Sequence, residues 1–281
     1  VASDDIDAVV IGTWPYMHCP VTLEALSRGK HVLCEARMAM DADEARLMHE
    51  TARHNPDCVA QIVPSPLTLA VDALVIDAVA NGRLGTITGV EIVSTNGNLL
   101  DPAAPLTWRL DRKLSGNNTL TLGIWYEALQ RWMGDAAEVQ ASARTFTHLR
   151  PDPETGLPRA VEIPDQVAVT ARMAAGCQAR MLFSGMRRGP AQNYAEIHGT
   201  AGGLKTDGSR LWVASESGEW KEESIPDDKR GAWSVERDFI SSIRDGAPVT
   251  RTNFDDGLRY MAFTDAVLES ARTGAAVPVL V

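Results

Sequence analysis

The 281-residue chain carries 27 basic and 37 acidic side chains, a net charge of −10, with 44% hydrophobic and 23% charged residues. This balance is ordinary for a globular protein with a full apolar core, and without clustered Lys and Arg to displace counterions from phosphates it argues against nucleic acid as a partner. No apolar stretch nears the ~20 residues that span a bilayer, the acidic start Val1–Asp5 does not fit a signal peptide, and Cys19, Cys34, Cys58 and Cys177 show no CxxC spacing; neither a disulfide framework nor a zinc site is expected, and the expected compartment is the cytoplasm.

Strand and helix alternate through the first hundred residues. Asp7–Thr13 is a short β-branched run stopped by glycine, the pattern of a parallel strand buried on both faces. Pro20–Ser27 has helical apolar spacing, closed by Arg28-Gly29-Lys30. His31–Glu35 is the next strand, with Cys34 a core thiol. Asp41 and Glu44 have the spacing of a capping box opening a helix to about His54. Cys58–Val63 gives a third strand and Leu69–Ala80 a helix ended by Asn81-Gly82, which completes a βαβαβα order and implies a doubly wound sheet. Asp72 and Asp77 are expected on that helix's surface.

Beyond Gly85 strands dominate: Thr86–Thr95, Val139–His148, Gln166–Met173, Gln178–Ser184, Ala195–His198 and Leu211–Ala214. Helices are expected at Leu122–Met133, Trp233–Arg244 and Phe254–Arg272. Strands in succession with helices segregated imply an open, mostly antiparallel sheet covered on one face. The Pro-, Asp- and Gly-rich stretch between His148 and Glu162 reads as a surface loop, with Asp152-Pro153-Glu154 a charge cluster and not a metal site. The fold class is therefore α/β: a partial doubly wound Rossmann half over residues 1–83, then an α+β domain over residues 84–281.

The residues Thr13-x-x-x-x-His18, Ala25-x-x-x-Gly29-Lys30-His31-Val32-x-Cys34-Glu35, Gly82-x-Leu84-Gly85, Trp108-Arg109-Leu110-Asp111, Arg131-Trp132-x-Gly134, Glu196-Ile197-His198-Gly199-Thr200-x-Gly202 and Ser270-x-x-x-Gly274 together resemble the Gfo/Idh/MocA group of oxidoreductases over nearly the whole chain. The resemblance implies a Rossmann domain for NAD or NADP, with Thr13, Glu35 and Arg37 on the cofactor side, and a second domain that holds a sugar, polyol or acid and pairs subunits. The family's GxGxxG turn, which brings backbone amides to the pyrophosphate, has no counterpart here; Gly199–Gly203 is nearest and falls between strands of the other domain. Where the family has Glu-Lys-Pro, this chain reads Glu35-Ala36-Arg37, and the guanidinium stays protonated at any working pH. The family's Asp-x-Gly-x-His-x-x-Asp helix reads Thr121 to Ala128, with Trp125 in place of the histidine.

The strand at Asp7–Thr13 normally pairs with an earlier one, and an open apolar edge invites association. The sequence is expected either to be a fragment of a longer protein or to have this edge covered by a partner subunit. Tyr126, Glu127 and His18 are the candidate acid–base residues. Trp108, Arg109, Arg187, Arg188 and Trp125 are the candidate ligand-gripping residues, since indole faces stack on sugar rings and guanidinium forks fit carboxylates. Trp14, Pro15 and Tyr16 are bulky enough to crowd a nicotinamide or to stack on a different ligand. Three functions stay open: an oxidoreductase with altered residues, a silent ligand-binding or partner subunit, and a cofactor-independent lyase or hydrolase on a sugar-like substrate. A homo-oligomer is expected from the sheet's outer face.

Overall fold

In the computed structural model, which describes residues 1–215 and 218–281, strands β1 (Ala8–Ile11), β2 (His31–Cys34) and β3 (Ala60–Ile62) form a parallel sheet in that order. Val9 pairs with Val32, and Leu33 with Gln61. Helices α1 (His18–Ser27) and α2 (Ala42–His54) make the two crossovers, and α3 (Asp72–Ala80) leads on to the second sheet. Asp41 caps α2 by accepting the Glu44 amide at 2.9 Å, while the Glu44 carboxylate reaches the Met40 amide, one residue beyond the box geometry. Among the described residues no strand pairs with the outer edge of β1, where Val10 is 68% exposed. The expectation of a strand buried on both faces fails at that residue.

The second sheet has nine strands in the order β13-β12-β11-β10-β4-β9-β8-β5-β14. These are β4 (Ile87–Thr95), β5 (Ala136–Arg144), β8 (Gln166–Met173), β9 (Gln178–Ser184), β10 (Gln192–Gly199), β11 (Gly202–Thr206), β12 (Leu211–Ala214), β13 (Trp220–Glu223) and β14 (Val277–Pro278). Only β4 and β9 run parallel, so the sheet is open and mostly antiparallel. The strand expected over Val139–His148 begins earlier and ends at Arg144, because Asp165 accepts the Phe146 and Thr147 amides and turns the chain. The expected loop between His148 and Glu162 holds a hairpin of β6 (Leu149–Pro151) and β7 (Pro158–Ala160), with Asp152 accepting the Glu154 and Thr155 amides at its turn.

Short helix α4 (Arg112–Ser115) precedes α5 (Leu122–Met133); α6 (Val235–Asp245) and the 20-residue α7 (Phe254–Thr273) close the chain. Helix α7 lies between the two sheets. Its Tyr260 hydroxyl accepts the Met38 amide at 2.6 Å and its Asp265 accepts the Ala42 amide at 2.8 Å, while Phe263 stacks on Tyr126. One apolar cluster runs from Ile11 and Val32 through Trp125 and Phe263 to Leu211. No described helix is long and apolar enough to cross a membrane.

Candidate functional site

Parallel strands present ligands beyond their C-terminal ends. Here β1 and β2 lead into the Thr13–Trp14 turn and the Glu35–Arg37 segment, which face the start of α5 and the loop that follows β4. Between them lies a cavity of about 510 Å³, within the usual range for small-molecule sites. Arg37, Ser94, Asn118 and Thr121 line its inner part, Asn98, Thr107 and Arg109 its exposed rim, and Leu99, Leu110, Ile124 and Ile163 its apolar walls. The only ionisable side chains among the described lining residues are Arg37 and Arg109.

Arg37 is set by two neighbours, Asn118 and Gly123. Its Nε donates to the Asn118 Oδ1 at 2.9 Å. Buried Asn118 donates from Nδ2 to the carbonyls of Ala39 and Ser115, so its amide can offer Arg37 only the oxygen. Gly123 opens the path for the Arg37 stem: a Cβ there would lie 2.5 Å from the Arg37 Cδ. Burial lowers the Arg37 pKa to about 10, the nearby Arg109 charge acting in the same direction against Tyr260 and Glu127. The group is still a cation at neutral pH.

Arg109 is fixed from below. Its guanidinium sits 4.2 Å above the Trp108 ring, a cation–π contact, and Trp108 stacks on Trp14 with centroids 6.2 Å apart and planes at 17°. Trp14 therefore stacks within the protein, linking the turn after β1 to the loop after β4. That loop is tied down by buried Arg150 of the β6–β7 hairpin, which donates to the carbonyls of Leu99, Asp101 and Ala104. Asp111 pairs with Arg159 of the same hairpin. The hairpin thus holds one wall of the cavity.

Most of the expected catalytic and gripping residues lie elsewhere. Along α5 only Thr121, its N-cap, and Ile124 reach the cavity, because successive helical residues turn by 100° and the other faces are packed. Trp125 is buried against the large sheet, its Nε1 donating to Asn193 at 3.1 Å. Tyr126 is buried on Phe263 at 3.6 Å between centroids; its hydroxyl accepts the Ala136 amide, and burial pushes its pKa up, which is unsuited to proton donation. Glu127 points away, into a network with Arg131, Thr252 and the Ser65 amide. Burial raises its pKa against the opposing pull of Arg131. Asp72, expected on the surface, is buried and accepts from Trp132 at 2.7 Å beside Arg131.

His18 is 1% exposed, with its two ring nitrogens each 3.0 Å from a backbone carbonyl, those of Arg37 and Thr13. It ties the two turns together and does not face the cavity. Arg187 folds onto its own loop, donating to the Pro190 carbonyl, and exposed Arg188 is also outside the lining. Of the gripping residues, the structure brings only Arg109 to the cavity lining, with Trp108 stacked beneath its guanidinium. Arg37, expected on the cofactor side, joins Arg109 there. Asn118 and Thr121 were missed as cavity-lining residues, since neutral polar side chains carry no spacing signal.

Thr13 and Glu35 stand exposed at the C-terminal ends of β1 and β2, where a nicotinamide nucleotide could reach them. A pyrophosphate needs free amides at a helix N-terminus. Ahead of α1 the Met17 amide donates to the Trp14 carbonyl and the His18 amide to that of Pro15, and Pro20 has none to give. The residues present fit the border of a dinucleotide site but do not make one by themselves.

Comparison with known proteins agrees with this architecture. Residues 1–62 match the family described as oxidoreductase family, NAD-binding Rossmann fold, and residues 73–205 match the GFO/IDH/MocA C-terminal domain. Levoglucosan dehydrogenase of Pseudarthrobacter phenanthrenivorans is 23% identical over 309 residues, covering 95% of this chain and 78% of its own. The 1,5-anhydro-D-fructose reductase of Ensifer adhaerens is 26% identical over 290 residues, covering 99% and 81%. The structure of levoglucosan dehydrogenase in complex with NADH and levoglucosan shares the fold, with a TM-score of 0.86 at 24% identity, over 99% of this chain and 81% of that one.

Proposed function

The chain belongs to the Gfo/Idh/MocA family of oxidoreductases, and from that premise we propose that it binds a sugar- or polyol-like small molecule in the cavity around Arg37 without transferring the ligand's proton itself. Relatives named for levoglucosan and 1,5-anhydro-D-fructose support the ligand class. The observation that carries the reading is the lining: two guanidinium groups, several amides and hydroxyls, and among the described residues no carboxylate, imidazole, phenol or amine. General acid–base catalysis needs a group whose pKa lies near the working pH, and a guanidinium at about 10 is poorly matched. Neutral amides and hydroxyls are suited to holding ring hydroxyls.

Hydride chemistry would need a nicotinamide nucleotide. Thr13 and Glu35 would border it, and the phosphate-binding turn would have to come from backbone pairing with the outer edge of β1.

The test is a titration of neutral sugars and polyols into the chain, read by tryptophan emission, because Trp108 carries the rim residue Arg109 and stacks on Trp14. The reading expects a saturable change, lost in Arg109→Ala, and no product formation with or without added NAD⁺ or NADP⁺. Turnover by the chain alone would show that a proton-transferring group exists and overturn the reading.

A further inference from the structure

The polar groups deep in the cavity are unevenly satisfied. Asn118 spends both its amide hydrogens on the carbonyls of Ala39 and Ser115, and the Thr121 hydroxyl donates to the Ser94 hydroxyl at 2.9 Å. Arg37 uses its Nε on Asn118. The two terminal nitrogens of Arg37 have no acceptor among the described residues, and no carboxylate lies within ion-pair distance of its guanidinium. That end is not sealed from solvent, so its donors are open to the cavity and to whatever occupies it. A second guanidinium, Arg109, borders the same cavity and is held there by Trp108. Among the described residues nothing acidic lines the cavity to balance the two positive charges.

From this arrangement we propose that the cavity selects hydroxylated carboxylates, the sugar-acid class, with the carboxylate held end-on by the two terminal nitrogens of Arg37 and the rim charge of Arg109 completing its neutralisation. The proposal rests on the reading of the cavity as a ligand site and specifies which ligand it takes. The shape of the free donors decides between anions. Two coplanar N–H directions fit the two oxygens of a carboxylate, as in other paired guanidinium forks. A phosphate brings a third oxygen and more charge, and the neighbouring Asn118 and Thr121 have no hydrogen left for it. The hydroxyl-bearing remainder of the ligand meets Asn98 and Thr107 toward the rim, with Leu99, Leu110 and Ile163 beside it. Arg37 is thus the specificity-determining residue at the position where the resemblance led one to expect a cofactor contact.

The experiment compares D-glucuronate with D-glucose and D-gluconate with D-sorbitol, alongside D-glucose 6-phosphate, by calorimetry and tryptophan emission on the 281-residue chain. Charge-assisted hydrogen bonds lead to an expected preference of about tenfold or more for each acid over its neutral partner. That preference should weaken as salt is raised and disappear in Arg37→Gln. Should Arg37→Gln fail to fold, Arg109→Gln at the exposed rim serves in its place, and it should lose part of the preference. Equal binding of acid and neutral partner, or a preference that survives in the folded Arg37 variant, overturns the proposal and leaves the cavity standing as a sugar site. Tighter binding of the phosphate overturns the carboxylate assignment. Binding of none of the five overturns both the proposal and the ligand-site reading beneath it.

Discussion

At the scale of single residues, chemical type was legible in the sequence but direction was not. Arg109 and Trp108 were expected to grip a ligand, and in the structure Arg109 sits over the Trp108 ring with its guanidinium on the cavity rim. Tyr126 and Glu127 drew attention for the same reason, their chemistry, yet one packs on Phe263 and the other pairs with Arg131. A stretch apolar on several sides gives a helix no unique inward face, so its contacts are set by α7 and the large sheet and not by its own pattern. Tyr126 provides a direct check. Tyr126→Phe leaves the buried Ala136 amide without its acceptor and should lower stability by about 1–3 kcal/mol, measured by urea unfolding. Ligand affinity should be unchanged; a lost affinity with intact stability would restore Tyr126 to the site.

At the scale of elements, strands and helices with strong periodicity were read nearly to the residue: Gln166–Met173, Gln178–Ser184 and Leu122–Met133 match their expected bounds. The β6–β7 hairpin was not, because its proline and glycine content reads as loop and its anchoring comes from a single buried arginine, Arg150, reaching distant carbonyls. The β11–β12 turn shows how such short connections are fixed. Gly208 adopts a φ of +98°, and a Cβ there would lie 2.4 Å from the Leu67 carbonyl, so the turn seats against the segment before α3. Asp207 organises it by accepting the Ser209 and Arg210 amides and the Arg210 guanidinium. Against the opposing effect of burial, these bonds hold its pKa at about 2, below the ordinary 3.8. A depressed carboxyl pKa gives stability that is present above the ordinary value and lost as pH falls through the folded one. Asp207→Asn should therefore cost about 1–2 kcal/mol at neutral pH and flatten the loss of stability between pH 4 and 2. An unchanged acid limb in urea unfolding measured across that range would rule out the role.

At the scale of the whole molecule, the order of strands and helices and the resemblance carried by scattered short motifs were sufficient to identify the two-sheet architecture. The cavity was not legible, because it is assembled from residues as far apart as Arg37, Thr121 and Ile163, on segments of both sheets that α7 ties together. The open edge of the first strand was expected, but its continuous apolar run did not reveal that Val10 would be exposed. The account's central claim is that this inter-sheet cavity is where the ligand sits. Hydrogen exchange of the 281-residue chain, with and without saturating D-glucuronate, tests it most directly. The account predicts slowed exchange in segments 94–99 and 107–124 and no change around His198 and Trp220, which border a separate surface cavity. Protection around His198 and Trp220 with none in 94–124 would contradict it.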